Sequence, residues 1–174
     1  MIVETVNYTL SQFTLIGLIF IILSIFYEVL RKKIKIKSAE KLRNFLKKES
    51  LLIILIISSI ATLGSLFFSE IALYEPCKLC WFQRIFMYPI VVISLFGLIK
   101  KQKPFIYILA LSLIGFSISL YHNITRFSQL NSGLFCQIGS NCSITYFTYF
   151  NFITIPIMSL TAFSLIILFS YKNN

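Results

Sequence analysis

Residues 51–74 read LLIILIISSIATLGSLFFSEIALY, with Glu70 near the end as the single charge. A helix needs about 20 mostly apolar residues to cross the hydrocarbon core of a bilayer. Inside that core each unpaired backbone polar group costs several kcal/mol, which leaves a continuous helix as the form this stretch can take. Working outward, the same test predicts further spans at Leu10–Leu30, Trp81–Ile99, Phe105–Tyr121 and Phe152–Tyr171. The first rests on the shorter strongly apolar part Phe13–Tyr27. Pro76 stops the 51–74 span, Pro104 opens the fourth, and Lys100, Lys101 and Lys103 separate the third from the fourth. Pro89 and Pro156 fall inside predicted spans, where bends are expected. The expected fold class is an all-α integral membrane protein. Residues 1–50 would form an N-terminal transmembrane anchor with a basic loop, and 51–174 a second domain of four spans.

Composition points the same way, with 57% hydrophobic and 13% charged residues and a mean hydropathy of +0.85. Sixteen Lys and Arg against six Asp and Glu give a net charge of +10. In a soluble chain that excess would suggest nucleic acid. Here nine of the sixteen (Arg31, Lys32, Lys33, Lys35, Lys37, Lys41, Arg43, Lys47 and Lys48) lie between two apolar runs. In that position they orient a membrane protein and attract anionic headgroups of membrane lipid, so no nucleic-acid partner is expected. Ser38–Lys48 can be read as a surface helix with Leu42, Phe45 and Leu46 on one face, or as a solvated basic loop. Glu4 is the single charge before the first apolar run, which is not the pattern of a cleaved signal peptide, so the first span is expected to remain as an anchor. Basic loops at 31–48 and 100–103 alternate with segments poor in Lys and Arg. Positive-inside counting then puts the N-terminus outside and the C-terminus in the cytoplasm.

Under that topology Cys77, Cys80, Cys136 and Cys142 all lie on the outer side, where disulfides form and persist. Cys77-Lys78-Leu79-Cys80 is a C-x-x-C, the spacing used where a disulfide is made and broken repeatedly. Cys136 and Cys142 have five residues between them, among them Gly139, which permits a tight turn. Together the two pairs read as a thiol–disulfide relay, with which two other uses compete. One is a pair of static staples in a non-enzymatic membrane scaffold. The other is a four-cysteine metal site, for which the wider spacing is poorly suited, so no metal is expected. Cys80 just precedes a helix expected to begin near Trp81, where free N–H groups and the helix dipole favour a thiolate. Arg84 lies one turn further on the same face. An arginine in a span is a functional candidate by default, though one this near the interface could instead snorkel to headgroups. Tyr146, Phe147, Tyr149, Phe150 and Phe152 gather before the last span, as an interfacial belt or a docking strip for a partner.

The run Glu75-Pro76-Cys77-Lys78-Leu79-Cys80-Trp81-Phe82-Gln83-Arg84 resembles the active-site turn of the DsbB/BdbC disulfide-formation proteins. Gly139-Ser140-Asn141-Cys142 followed by Phe152-Ile153-Thr154-Ile155-Pro156 resembles a second part of that pattern. The resemblance covers about Leu51–Tyr171. It implies a four-helix transmembrane bundle in the cell inner (plasma) membrane that reoxidises a DsbA/BdbD-like thioredoxin-fold thiol oxidase and reduces a quinone, ubiquinone or menaquinone. Carried onto this chain, it gives Cys136–Cys142 the partner-facing role and Cys77–Cys80 the quinone-facing role. Arg84 would polarise the quinone and hold a Cys80 thiolate opposite it. His122, at the end of the fourth span, loosely resembles a family histidine near the quinone, although a helix-end histidine is commonly just interfacial. Leu10–Leu30 has no counterpart in the four-helix pattern, and the five-residue spacing of the second pair is that of the BdbC-like branch.

Overall fold

The computed structural model describes residues 2–31, 45–127 and 146–173. Its regular elements are helices: α1 (Ile2–Arg31), α2 (Ser50–Leu66) prolonged by a π turn at Phe67–Ile71, α3 (Lys78–Ile99), α4 (Phe105–Phe127) and α5 (Ile155–Tyr171). Four are long and apolar enough to cross a membrane, and α5 is a shorter apolar helix of 17 residues. The chain is an all-α, multi-pass membrane protein. At 1.5 Å per residue α5 is ~26 Å long, close to the ~30 Å of a hydrocarbon core. A tight turn precedes it, with Phe150 and Asn151 at positive φ of 51° and 66° and the backbone closed between Tyr149 and Ile153.

Helix ends differ from the sequence expectation for local reasons. α1 starts at Ile2 rather than Leu10, because its early hydroxyls satisfy themselves on the helix. Thr9 Oγ1 donates to the Thr5 carbonyl and Ser11 Oγ to the Asn7 carbonyl, each at 2.7 Å. Thr125 does the same in the added turn of α4. Pro156 is not a mid-span bend, since α5 starts at Ile155 and the proline sits in its first turn, where a missing N–H costs nothing. Pro89 is inside α3 as expected.

Helices α2, α3, α4 and α5 pack as a ring in that order, with α5 closing back on α2. Ile54, Ile90, Ile108, Phe163 and Ile166 bring one or two fully buried side chains from each helix into a shared core. Lipid tails are as apolar as these side chains, so association depends on tight fit and small residues. Gly115 of α4 supplies one such place, because a Cβ there would lie 2.3 Å from the Phe163 ring. α1 lies outside the ring along α5. Gly17 faces Thr161 and Leu165, Phe20 stacks on Phe169 with centroids 5.8 Å apart, and Glu28 pairs with Lys172 at 3.4 Å.

Candidate functional site

The chain leaves the π turn, passes Glu75-Pro76 and re-enters a helix at Lys78, three residues earlier than the sequence suggested. Cys77 is therefore the residue that caps α3. Its backbone is extended (φ −66°, ψ 166°) and its sulfur accepts the Cys80 backbone N–H at 3.3 Å. Cys80 sits inside the first turn instead of preceding it. Both cysteines are unlinked. Their sulfurs lie 2.8 Å apart, so a small approach would bring them to the ~2.05 Å of a disulfide.

His122, 2% exposed, reaches this pair from α4. Its Nε2 lies 3.7 Å from the Cys77 sulfur and its Nδ1 lies 3.2 Å from Gln83 Nε2. With the Gln83 amide in this orientation its NH2 donates and Nδ1 accepts, which puts the ring proton on Nε2, facing sulfur. A hydrogen bond from the Cys80 thiol pulls the Cys77 thiol down to about 4, against the effect of burial and with help from His122 and the Cys80 backbone N–H. These contacts favour a thiolate at Cys77, whereas a helix starting near Trp81 was expected to favour one at Cys80. The difference follows from the helix starting at Lys78.

Arg84 is 8% exposed. It does not snorkel: Nε–H donates to Ser65 Oγ at 2.8 Å and Nη2 donates to the Ser65 carbonyl at 2.9 Å. Its guanidinium carbon also lies 5.1 Å from the centroid of the Trp81 ring. Ser65 belongs to the last turn of α2 before the helix widens into the π turn, so a local irregularity meets the arginine. Cys77, Cys80, Gln83, Arg84 and His122 all line one cavity of ≈ 280 Å³, whose other walls are largely apolar, with Ile57, Met87 and Leu165 among them.

Tyr146 covers the cysteine turn, its hydroxyl donating to the Glu75 carbonyl at 3.1 Å and its ring stacked on Tyr74 at 4.4 Å. Phe147 packs on Phe68, and Tyr149 on Tyr8 of α1. This part of the aromatic strip is an internal seam, while Phe150 and Phe152 remain partly exposed.

Of the residues singled out from sequence, the fold gathers Cys77, Cys80, Arg84 and His122. Cys136 and Cys142 lie outside the described residues. Gln83 and Ser65 were missed. Gln83 had a signal, being an amide in a span three residues from Cys80 on the same face. Ser65 had none, because its partner is nineteen positions away. Cys77, Cys80 and His122 also hold their ligand atoms within 4.8 Å of one another, an arrangement that thiophilic metals accept when the thiols are reduced.

A family model described as "Disulfide bond formation protein DsbB" matches residues 47–171. The chain belongs to the DsbB family. Its role lies in disulfide bond formation and its activity is of the oxidoreductase class. The SPbeta prophage-derived disulfide bond formation protein B of Bacillus subtilis is 45% identical over 121 residues, 68% of this chain and 81% of that one. The disulfide bond formation protein C of the same organism is 44% identical over 119 residues, 66% of this chain and 84% of that one. A probable disulfide formation protein C of Halalkalibacterium halodurans is 45% identical over 112 residues, 63% of this chain and 82% of that one. No solved structure matches. The DsbB match begins at residue 47, so α1 lies outside it.

Proposed function

We propose that this protein reoxidises an extracytoplasmic thioredoxin-fold thiol oxidase of the DsbA/BdbD kind and delivers the electrons to a membrane quinone. The observation that carries the proposal is that an unlinked cysteine pair and a buried guanidinium open on the same apolar cavity. A volume of ≈ 280 Å³ is at the small end for ligand sites, enough for a flat ring and not for a long tail as well. Arg84 gives two N–H groups to Ser65, and a guanidinium has five. The remainder suit a carbonyl oxygen in an otherwise apolar site. A quinone bound there would supply a two-electron, two-proton acceptor.

In this reading Arg84 keeps a fixed positive charge where an acceptor oxygen turns negative, and Ser65 fixes the plane of the guanidinium. His122 holds a proton against Cys77, and Gln83 sets its tautomer. The partner dithiol attacks the Cys136–Cys142 disulfide through a mixed disulfide and leaves oxidised. The Cys136 and Cys142 thiols then reduce the Cys77–Cys80 disulfide, and two electrons with two protons leave for the acceptor. The roles of Cys136 and Cys142 are supported by the sequence resemblance, and the outward position of all four cysteines by the basic segments on the other side.

The test uses purified full-length protein, quinone and a reduced thioredoxin-fold dithiol protein. Quinone absorbance should fall in step with dithiol oxidation, and Cys77→Ser or Cys80→Ser should abolish both. A partner lacking its resolving cysteine, offered to Cys142→Ser protein whose Cys136 carries thionitrobenzoate, should be captured on Cys136. Capture on Cys77 or Cys80 of the wild-type chain, with the 136–142 disulfide intact, would end the two-step relay. Static staples would instead leave quinone unreduced and resist reduction by the dithiol.

A further inference from the structure

α1 is built to face inward with small and polar residues. Asn7, Ser11, Thr14 and Gly17, spaced four, three and three apart, are its buried positions in the first half. That spacing keeps one helical face against the bundle. The helix is fastened to the bundle at several depths. Asn7 Nδ2 donates to the Tyr74 hydroxyl at 3.2 Å, Gly17 admits Thr161 and Leu165, Phe20 stacks on Phe169, and Glu28 pairs with Lys172. Toward α2 it comes close as well, since a Cβ on Gly64 would lie 3.2 Å from Leu10.

From this docked position Leu10, Phe13 and Thr14 line the same cavity as Cys80 and Arg84. Residues 47–171, the part matched by the family, contain the other walls and none of α1. Taken alone they would leave the cavity open to lipid along the groove between α2 and α5. We propose that α1 is an added fifth wall of the acceptor cavity, in which Leu10, Phe13 and Thr14 determine which quinones enter and bind. The proposal rests on the quinone reading above and goes beyond it in assigning specificity to a helix outside the family segment.

The three residues divide the work by position. Thr14 is buried, its hydroxyl turned back onto the Leu10 carbonyl at 2.8 Å. Its methyl and the Leu10 side chain form a wall that limits ring width. Phe13 lines the cavity while 56% of its surface stays exposed, so it stands at the rim. Because the cavity holds a ring and not a tail, an isoprenoid tail has to leave past this rim into lipid. Leu10 and Thr14 therefore select on the ring, and Phe13 on the tail.

The test is equilibrium binding to the full-length protein in detergent, read by quenching of Trp81, the single tryptophan, together with photolabelling by a quinone carrying an azide on its ring. In the wild-type chain the label should appear on residues 10–14 as well as on α2 or α5. Thr14→Phe should weaken binding of every quinone about tenfold by overfilling the wall. Phe13→Ala should change the ratio of affinities between long-tailed and tail-less quinones. Ile16→Phe, at a position 63% exposed, should bind as the wild type does. Saturable quenching with label confined to residues 47–171, and unchanged affinities in Thr14→Phe and Phe13→Ala, would overturn the fifth wall and leave the quinone reading standing. Absence of both quenching and label in the wild-type chain would remove the quinone reading and the wall with it.

Discussion

A lysine in place of Arg84 keeps the charge but cannot span both Ser65 Oγ and the Ser65 carbonyl while presenting further donors to a ligand. A charged hydrogen bond from Arg84 to a bound quinone oxygen would be worth about 1.5–3 kcal/mol, while a lysine can still donate to a Ser65 oxygen. Arg84→Lys is therefore expected to raise the apparent KM for quinone about tenfold or more, with thermal unfolding near that of the wild type. Steady-state kinetics with quinone varied will check it, and an unchanged KM with normal turnover would remove Arg84 from the acceptor site. Cys77 carries the second expectation at this scale. An ordinary thiol ionises near 8.5, whereas Cys77 is held down to about 4. The folded-state thiolate itself persists until the pH approaches about 4, while the stability that the lowered value contributes to the reduced fold is fully present above about 8.5. That contribution shrinks as the pH drops below this and is gone once it passes about 4. Alkylation of reduced Cys77 by iodoacetamide should accordingly persist well below neutral pH, and His122→Ala should move its midpoint upward. A midpoint near that of a free thiol would contradict the role given to Cys80, His122 and the helix cap.

Between elements, the α4–α5 seam depends on one missing side chain. Gly115→Val would drive a β-branched group into the Phe163 ring, which a Cβ alone already meets at 2.3 Å. Overpacking costs about 1–3 kcal/mol, so the thermal unfolding temperature in detergent should fall. Phe163→Leu in the same chain should recover part of the loss by making room. Loss without any recovery would mean that the seam is not where the variant acts. The same seam carries polar bonds, with Ser119 Oγ and Asn123 Nδ2 both donating to the Pro156 carbonyl. Ser119 lies one turn before His122 and Asn123 directly after it, so these bonds help hold α4 in register with α5. The π turn after α2 has a comparable use, since the carbonyl just before it accepts from Arg84.

At the scale of the whole molecule the two ends of the bundle differ in character. Cys77 and Cys80 lie at one end of the bundle with Asn7, Tyr74 and Tyr146, while Glu28 and Lys172 lie at the other. α1 ends at Arg31 at that second end, and the basic residues 31–48 follow in the sequence. If that end faces the cytoplasm, a membrane-impermeant thiol reagent applied to intact, reduced cells should label the protein at one or more of Cys77, Cys80, Cys136 and Cys142. Labelling that requires the membrane to be broken would invert the topology.

Residues 51–74 and the other apolar runs determined by themselves that the chain is a helical membrane protein, because hydrocarbon thickness is a length requirement that a local stretch either meets or does not. Cys77-Lys78-Leu79-Cys80 and Arg84 were legible for the same reason, since their spacing within one helix start sets their proximity without help from elsewhere. Helix ends were less so. Hydroxyls that bond their own backbone extended α1 and α4, and the capping sulfur of Cys77 moved the start of α3. What only the tertiary structure decided lies between helices. His122 could be read from sequence as an interfacial residue or, by loose resemblance, as a neighbour of the quinone, and α4 brings it, 45 positions away, to 3.7 Å from the Cys77 sulfur. Gln83 and Ser65 acquired their partners, and α1 its place beside the cavity, through packing choices made by glycines and small polar faces. Such faces look alike in sequence whether they meet lipid or another helix, and the matching surface on the partner helix is what separates the two.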